Sequence, residues 1–246
     1  MRNIISFQAI CGKIYVMLHK NTVSPAMWEL MQRLMKDEVL KDFVLVGGTA
    51  LSLKIGHRLS VDIDLFRQDG FDVKELRSYL ESYYKAQPTQ DFENSVMTFI
   101  DDIKVDLISH QYRYLKPVET IEGIRLVSLE DIGAMKLLAI AQSGRRIKDF
   151  VDMYYLLEHN PLVVYLEGYA KKYGANPVVA RNAVNYFKNV STKQIMEYFP
   201  GKKEEWEKTM ERLWQAKINI RTLFEPVRKE ENDIKPGNNK RRGLRM

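Results

Sequence analysis

Residues 61–66, Val-Asp-Ile-Asp-Leu-Phe, alternate strictly between apolar and acidic side chains up to the closing phenylalanine. A period of two is the mark of a β-strand with one buried face, so Val61, Ile63 and Leu65 are expected on the core side and Asp62 and Asp64 together on the other. Any fold for this chain has to place two carboxylates side by side on one strand. A second run, Ile103-Lys-Val-Asp-Leu-Ile108, repeats the arrangement, with Lys104 and Asp106 opposite Ile103, Val105 and Leu107. It pairs with the run before it through Asp101-Asp102, which reads as a hairpin turn. A third acid therefore stands on a strand.

Upstream, Asp42 to Val46 reads as a short buried strand that ends in Gly47-Gly48-Thr49 and runs straight into the helical stretch Ala50 to Ile55. Backbone N–H groups around Gly48 and Thr49, helped by the helix dipole, can hold a phosphate. Each piece alone has a plainer explanation. A Gly-Gly turn can simply supply positive φ, and acids on an edge strand can guard it against unwanted pairing. Their order changes the reading. Clustered carboxylates repel one another unless cations sit between them, and hard oxygen ligands suit Mg²⁺, with Mn²⁺ as an alternative, bridging protein and phosphate oxygens. A phosphate cradle followed by three strand acids is a layout for two-metal nucleotidyl transfer.

The rest of the chain frames this motif. Ser24-Pro25 caps a helix carrying Met27, Leu30, Met31, Leu34 and Met35 on one face, and a second helix from about Asp72 has Val73, Leu76, Leu80 and Tyr83 as its stripe. Extended structure is expected near Ile124 to Val127. Ser128-Leu-Glu-Asp131 then has the form of a capping box opening a helix to about Gln142. Further helices are expected over 148–157, after Asn160-Pro161, over 177–189 and over 203–223. The fold class is α+β: a mixed β-sheet flanked by helices over 17–127, then a helical bundle over 128–225. Residues 1–16 read as a candidate N-terminal extension. The segment from Pro226 to Met246 holds seven Lys/Arg against three Asp/Glu, so it supplies +4 of the net +6 and reads as a disordered basic tail compatible with RNA. The single cysteine, Cys11, excludes an intrachain disulfide and a thiolate zinc site, and suits the cytoplasm. No apolar run is long enough for a membrane span. His19, His57, His110 and His159 are scattered, without metal-ligand spacing.

The string from Val46 to Phe66 resembles the signature of the DNA polymerase beta nucleotidyltransferase superfamily. More narrowly, the chain is similar to the nucleotidyltransferase toxins of the AbiEii/AbiGii abortive-infection type, because Asp131, Lys136, Arg145 or Arg146, and Lys148-Asp149-Phe-Val-Asp152 match the helical part of that pattern. The resemblance implies an NTP and Mg²⁺ in a cleft between the sheet and the helices. It implies Asp62, Asp64 and Asp106 as metal ligands, Asp106 otherwise taking the proton of an incoming hydroxyl. It assigns Gly47, Gly48, Thr49, Arg58, Lys136 and Lys148 to the nucleotide. Asp152, and less directly Asp149, would position Lys136 or the acceptor. The acceptor implied is tRNA or another RNA, and the partner a cognate antitoxin. A small-molecule (aminoglycoside-like) nucleotidyltransferase, a protein-modifying one, and a non-catalytic nucleotide- or partner-binding module are the alternatives. For Arg58 and Lys148, ordinary ion pairing is the competing role, with Lys148 and Asp152 one helical turn apart.

Overall fold

The structure, a computed structural model, describes residues 7–10, 13–199 and 203–226. The basic tail after Pro226 and half of the candidate extension thus lie outside the described residues.

Strands β1 (Phe7–Ile10) and β2 (Lys13–Val16) pair with each other as an antiparallel ribbon. In helix α1 (Pro25–Lys36) the Ser24 hydroxyl accepts the Met27 N–H at 3.1 Å, and the five expected apolar residues are buried. Strand β3 is only Val44–Leu45, shorter than the expected segment, because helix α2 (Gly47–Ile55) starts at the glycines themselves rather than after them. Strand β4 (Asp62–Arg67) buries Ile63 and Leu65 completely, but Val61 precedes it and is 58% exposed. Helix α3 (Val73–Tyr84) buries Tyr84 instead of the expected Tyr83: Tyr84 lies a full turn after Leu80, and its hydroxyl donates to Asp37 at 2.6 Å.

Strands β5 (Gln87–Phe92), β6 (Ser95–Ile100) and β7 (Ile103–Ser109) form a meander, with Asp101 and Asp102 both at positive φ in the tight turn. Strands β8 (Glu119–Ile121) and β9 (Ile124–Leu126) follow. Among the described residues, seven strands make one mixed sheet in the order β5-β6-β7-β4-β3-β9-β8. The central pairing is parallel, β4 against β7, and its register sets Asp64 directly across from Asp106 and Asp62 across from Lys104.

From residue 129 onward the described residues contain helices and no strands: α4 (Leu129–Gln142), α5 (Ile147–Leu156), α6 (Leu162–Tyr173), α7 (Pro177–Ala183), α8 (Thr192–Tyr198) and α9 (Lys203–Ile218). Helix α7 ends earlier than expected, and α8 carries a Ser191–Gln194 capping box. Only half of the box expected at Ser128 forms. The Ser128 hydroxyl accepts the Asp131 N–H at 3.0 Å and donates to the Asp131 carboxylate at 2.9 Å, and the rest of that carboxylate goes to the Leu115 and Lys116 N–H groups and to the Lys172 ammonium at 2.8 Å. That pair is fully buried, and Lys172 also donates to the Arg113 carbonyl. It fastens α4 and α6 to the loop that leaves β7. No helix among the described residues is long and apolar enough to cross a membrane.

Candidate active site

One cleft of about 520 Å³ lies between the acidic face of the sheet and helices α4, α5 and α6. Gly47, Gly48, Thr49, Arg58, Asp62, Asp64, Asp106, Lys136, Lys148 and Asp149 all line it, so the cleft collects residues far apart in sequence. Asp152 lies behind this lining, fully buried.

At one end stands the start of α2. No side chain caps it, and the first-turn N–H groups of a helix have no partner within the helix, so an anion is favoured there. Gly47 is at φ +69, and a Cβ on it would lie 2.5 Å from Asp64 Oδ2; a Cβ on Gly48 would collide with the Arg58 guanidinium. Glycine is therefore a spatial requirement of the carboxylate and the arginine beside it. Thr49 is turned inward, its hydroxyl donating to the Asp62 carbonyl and lying 2.8 Å from Ser60 Oγ. It braces α2 against β4. We expect Gly47→Ala to lose about 1 kcal/mol of stability to the left-handed backbone and to displace Asp64, lowering turnover roughly 10- to 100-fold. Thermal melts and transfer rates on the same preparation check both effects.

The acids occupy the floor. Burial, and next the negative charge of Asp106, push the Asp64 carboxyl above its ordinary range against the pull of Lys136. Asp106 is buried; its Oδ2 accepts from Lys104, while Oδ1 is buried without a hydrogen-bond partner. Among the described residues no group of three or more His, Cys, Asp or Glu forms a closed metal cluster; Asp64 and Asp106 stand opposite each other across the two strands, and Asp62, two residues away on β4, adds its negative charge to that of Asp106 at Asp64. The lysine on Asp106 explains part of this, since it already balances one carboxylate. Mutually repelling carboxylates with one unpartnered oxygen still fit a hard divalent cation.

The roof is a charge network. Asp152, fully buried, meets His57 Nε2 at 2.7 Å, Arg58 Nε at 2.7 Å and Nη2 at 3.1 Å, and Lys136 Nζ at 2.6 Å. Lys136 also donates to Asp149 at 2.9 Å, and Arg146 forks onto the same Asp149 at 2.8 and 3.1 Å. Burial works against charge on Lys136, but Asp152 and Asp149 outweigh it and raise its pKa. Burial likewise opposes ionisation of Asp152, yet Lys136, Arg58 and His57 hold its carboxyl well below the usual range. Asp152 is thus a buried anchor for three bases, and Arg58 takes the ion-pairing role rather than reaching freely for phosphate. Lys148 stands exposed at the rim, not on Asp152; Arg145 is exposed too, and Arg146 faces the cleft. Asp131 sits in the Lys172 joint outside the cleft lining.

Sequence reasoning missed the other end of the cleft, where Phe66, Ile108, His110 and Tyr173 gather. The His110 and Phe66 ring centroids are 5.2 Å apart, and His110 and Tyr173 meet edge to face at 5.8 Å. Burial, and then the nearby Lys172, push the His110 pKa down to about 4. The period-two spacing Asp106, Ile108, His110 was the available signal.

An anion cradle and an acid pair thus open onto one cavity under a fixed lysine, and the chemistry such a cavity serves is the transfer of a phosphate-bearing group. The class these features define is that of the nucleotidyltransferases. The chain belongs to the nucleotidyl transferase AbiEii toxin family of type IV toxin–antitoxin systems, whose model matches residues 29–225. An uncharacterized protein of Aquifex aeolicus (strain VF5) is 28% identical over 192 residues, covering 76% of this chain and 88% of that protein. The JHP933 protein of Helicobacter pylori is 21% identical with a TM-score of 0.49, covering 81% of this chain and 93% of that one. The tRNA-complexed CCA-adding enzyme of Thermotoga maritima is 17% identical with a TM-score of 0.31, covering 84% of this chain and 63% of that one.

Proposed function

We propose that this nucleotidyltransferase moves a nucleoside monophosphate from an NTP to a hydroxyl of RNA, with tRNA the favoured acceptor. The observation that carries the reading is Asp64 directly across from Asp106, beside the uncapped start of α2. The acceptor oxygen bonds to the α-phosphorus, the bond from that phosphorus to the bridging oxygen breaks, and pyrophosphate leaves. Asp106 Oδ1, buried in the floor without a hydrogen-bond partner, is the atom assigned to receive the hydroxyl proton. Gly47, Gly48 and Thr49 offer the first-turn N–H groups to the phosphates, and Lys136, held rigid by Asp149 and Asp152, presents a fixed positive charge to them. Arg146 and Lys148 extend that charge to the rim.

Asp62, Asp64 and Asp106 are the residues that would hold Mg²⁺ or Mn²⁺, which when bound supplies charge neutralisation for the attacking and leaving oxygens. RNA is supported by the exposed Arg146 and Lys148 at the cleft, by the exposed Arg145 next to them in the chain, and by the basic composition beyond Pro226. Membership of the family supports cellular action as a toxin held in check by a cognate antitoxin, which we place in the cytoplasm.

Incubation with each α-labelled NTP, Mg²⁺ and total cellular RNA is expected to place label on an RNA of tRNA size. Label on an aminoglycoside or on a polypeptide would move the acceptor to that class. No label on any acceptor, from any of the NTPs, would leave a binding module.

A further inference from the structure

Building on the nucleotide-binding reading above, we propose that the Phe66, His110 and Tyr173 end of the cleft receives the nucleobase of the NTP and sets which base is preferred. The cleft is continuous from Gly48 to Tyr173. With phosphates anchored at α2 and Lys136, an elongated nucleotide has its base at the opposite end. Asp106, Ile108 and His110 follow one another on one side of the chain as it leaves β7, and the His110 N–H continues the ladder by donating to the Arg67 carbonyl at 2.8 Å. Four residues of extended chain separate His110 from the acid by about 13 Å. That distance suits the span from a reacting phosphate to a base.

The chemistry at that end is also that of a base site. Phe66, His110 and Tyr173 supply flat aromatic surface, on which any nucleobase can stack. Selectivity needs a hydrogen bond. His110 Nδ1 is buried without a partner, while Nε2 lies 3.5 Å from the Tyr173 hydroxyl. An orphaned ring nitrogen beside a cleft is a cost that a ligand edge of the right pattern removes. The imidazole stays neutral in the physiological range, so it offers a directional donor or acceptor in place of a charge that would favour any anion. Neighbouring Tyr112 packs on the ring from outside the cleft, and the charge of Lys172, opposed by Asp131, disfavours its protonation.

The test measures dissociation constants for all four NTPs and for inorganic tripolyphosphate with wild type, His110→Phe and Tyr173→Phe. The wild type is expected to prefer one NTP. His110→Phe keeps an aromatic face but lowers that preference about tenfold, and Tyr173→Phe lowers it less, while tripolyphosphate binds within about twofold of wild type. Equal affinity of the wild type for all four bases, or an unchanged preference in both variants with tripolyphosphate binding intact, overturns the assignment and leaves the phosphate site standing. Failure of the wild type to bind tripolyphosphate and NTPs alike would instead refute the nucleotide reading. Should His110→Phe lose tripolyphosphate as well, Tyr173→Phe decides: an unaltered preference there overturns the proposal.

Discussion

Asp64→Asn is expected to reduce nucleotidyl transfer by on the order of 10³-fold, the loss of several kcal/mol of transition-state stabilisation at a charged site, while the protein stays folded. The substitution keeps the shape of the side chain and the fit against Gly47, but removes the charge facing Asp106 across the β4–β7 ladder. The stability arm has the opposite sign from the activity arm. The carboxyl of Asp64 is raised in the folded state by burial and by Asp106, so the folded form binds its proton more tightly than the unfolded chain. Its contribution is favourable in acid and is lost as pH rises through the folded value. Without added divalent ions at neutral pH, Asp64→Asn therefore melts at or above the wild-type temperature, and the two converge as pH falls. Transfer retained to within tenfold of wild type would refute the role of the acid pair.

Asp152→Ala is expected to cost about 3–5 kcal/mol of stability, because it leaves Lys136, Arg58 and His57 around a buried position with their shared anion gone. In a chain of this size that corresponds to a melting temperature lower by on the order of 10 °C. Activity falls as well, since nothing then holds Lys136 except Asp149. The pH dependence identifies the cause. Asp152 is ionised in the folded state well below its ordinary value of 3.8, so its contribution is complete above that value and is lost as pH drops through the folded one. The gap between wild type and variant should hold from neutral pH down to about 4 and narrow below it. A melting temperature within about 2 °C of wild type at neutral pH would remove Asp152 from its place as anchor.

The parts legible in the sequence were those whose cause is local. Ser24 and Pro25 start α1 because capping needs only neighbours in the chain, and the face shared by Asp62 and Asp64 follows from strand geometry alone. The site residues gather in one region because two of their three segments carry period-two patterns that fit the same sheet. What was not legible depended on pairing over long range. The register that sets Asp62 opposite Lys104 and Asp64 opposite Asp106 belongs to a parallel pairing of distant strands. Asp131 looked like half of a local capping box, yet Lys172, 41 residues later, draws its carboxylate into a buried joint. The resemblance assigns Thr49 to the nucleotide, and its hydroxyl is held instead by Ser60 and the Asp62 carbonyl, a pairing that only the folded β4 supplies. His110 lacked a neighbouring histidine and so carried no metal signature; only the folded cleft brings it against Phe66 and Tyr173.

Asp152 comes from the helical half and two of its partners, His57 and Arg58, from the sheet half; at the far end Lys172 and Asp131 clamp the loop leaving β7. Two desolvated ionic rivets, one at each extremity, stitch the lobes together and oppose hinge bending. Substrates must then enter and leave through a mouth of fixed width, encountering a preorganised surface whose ordering entropy was spent during folding.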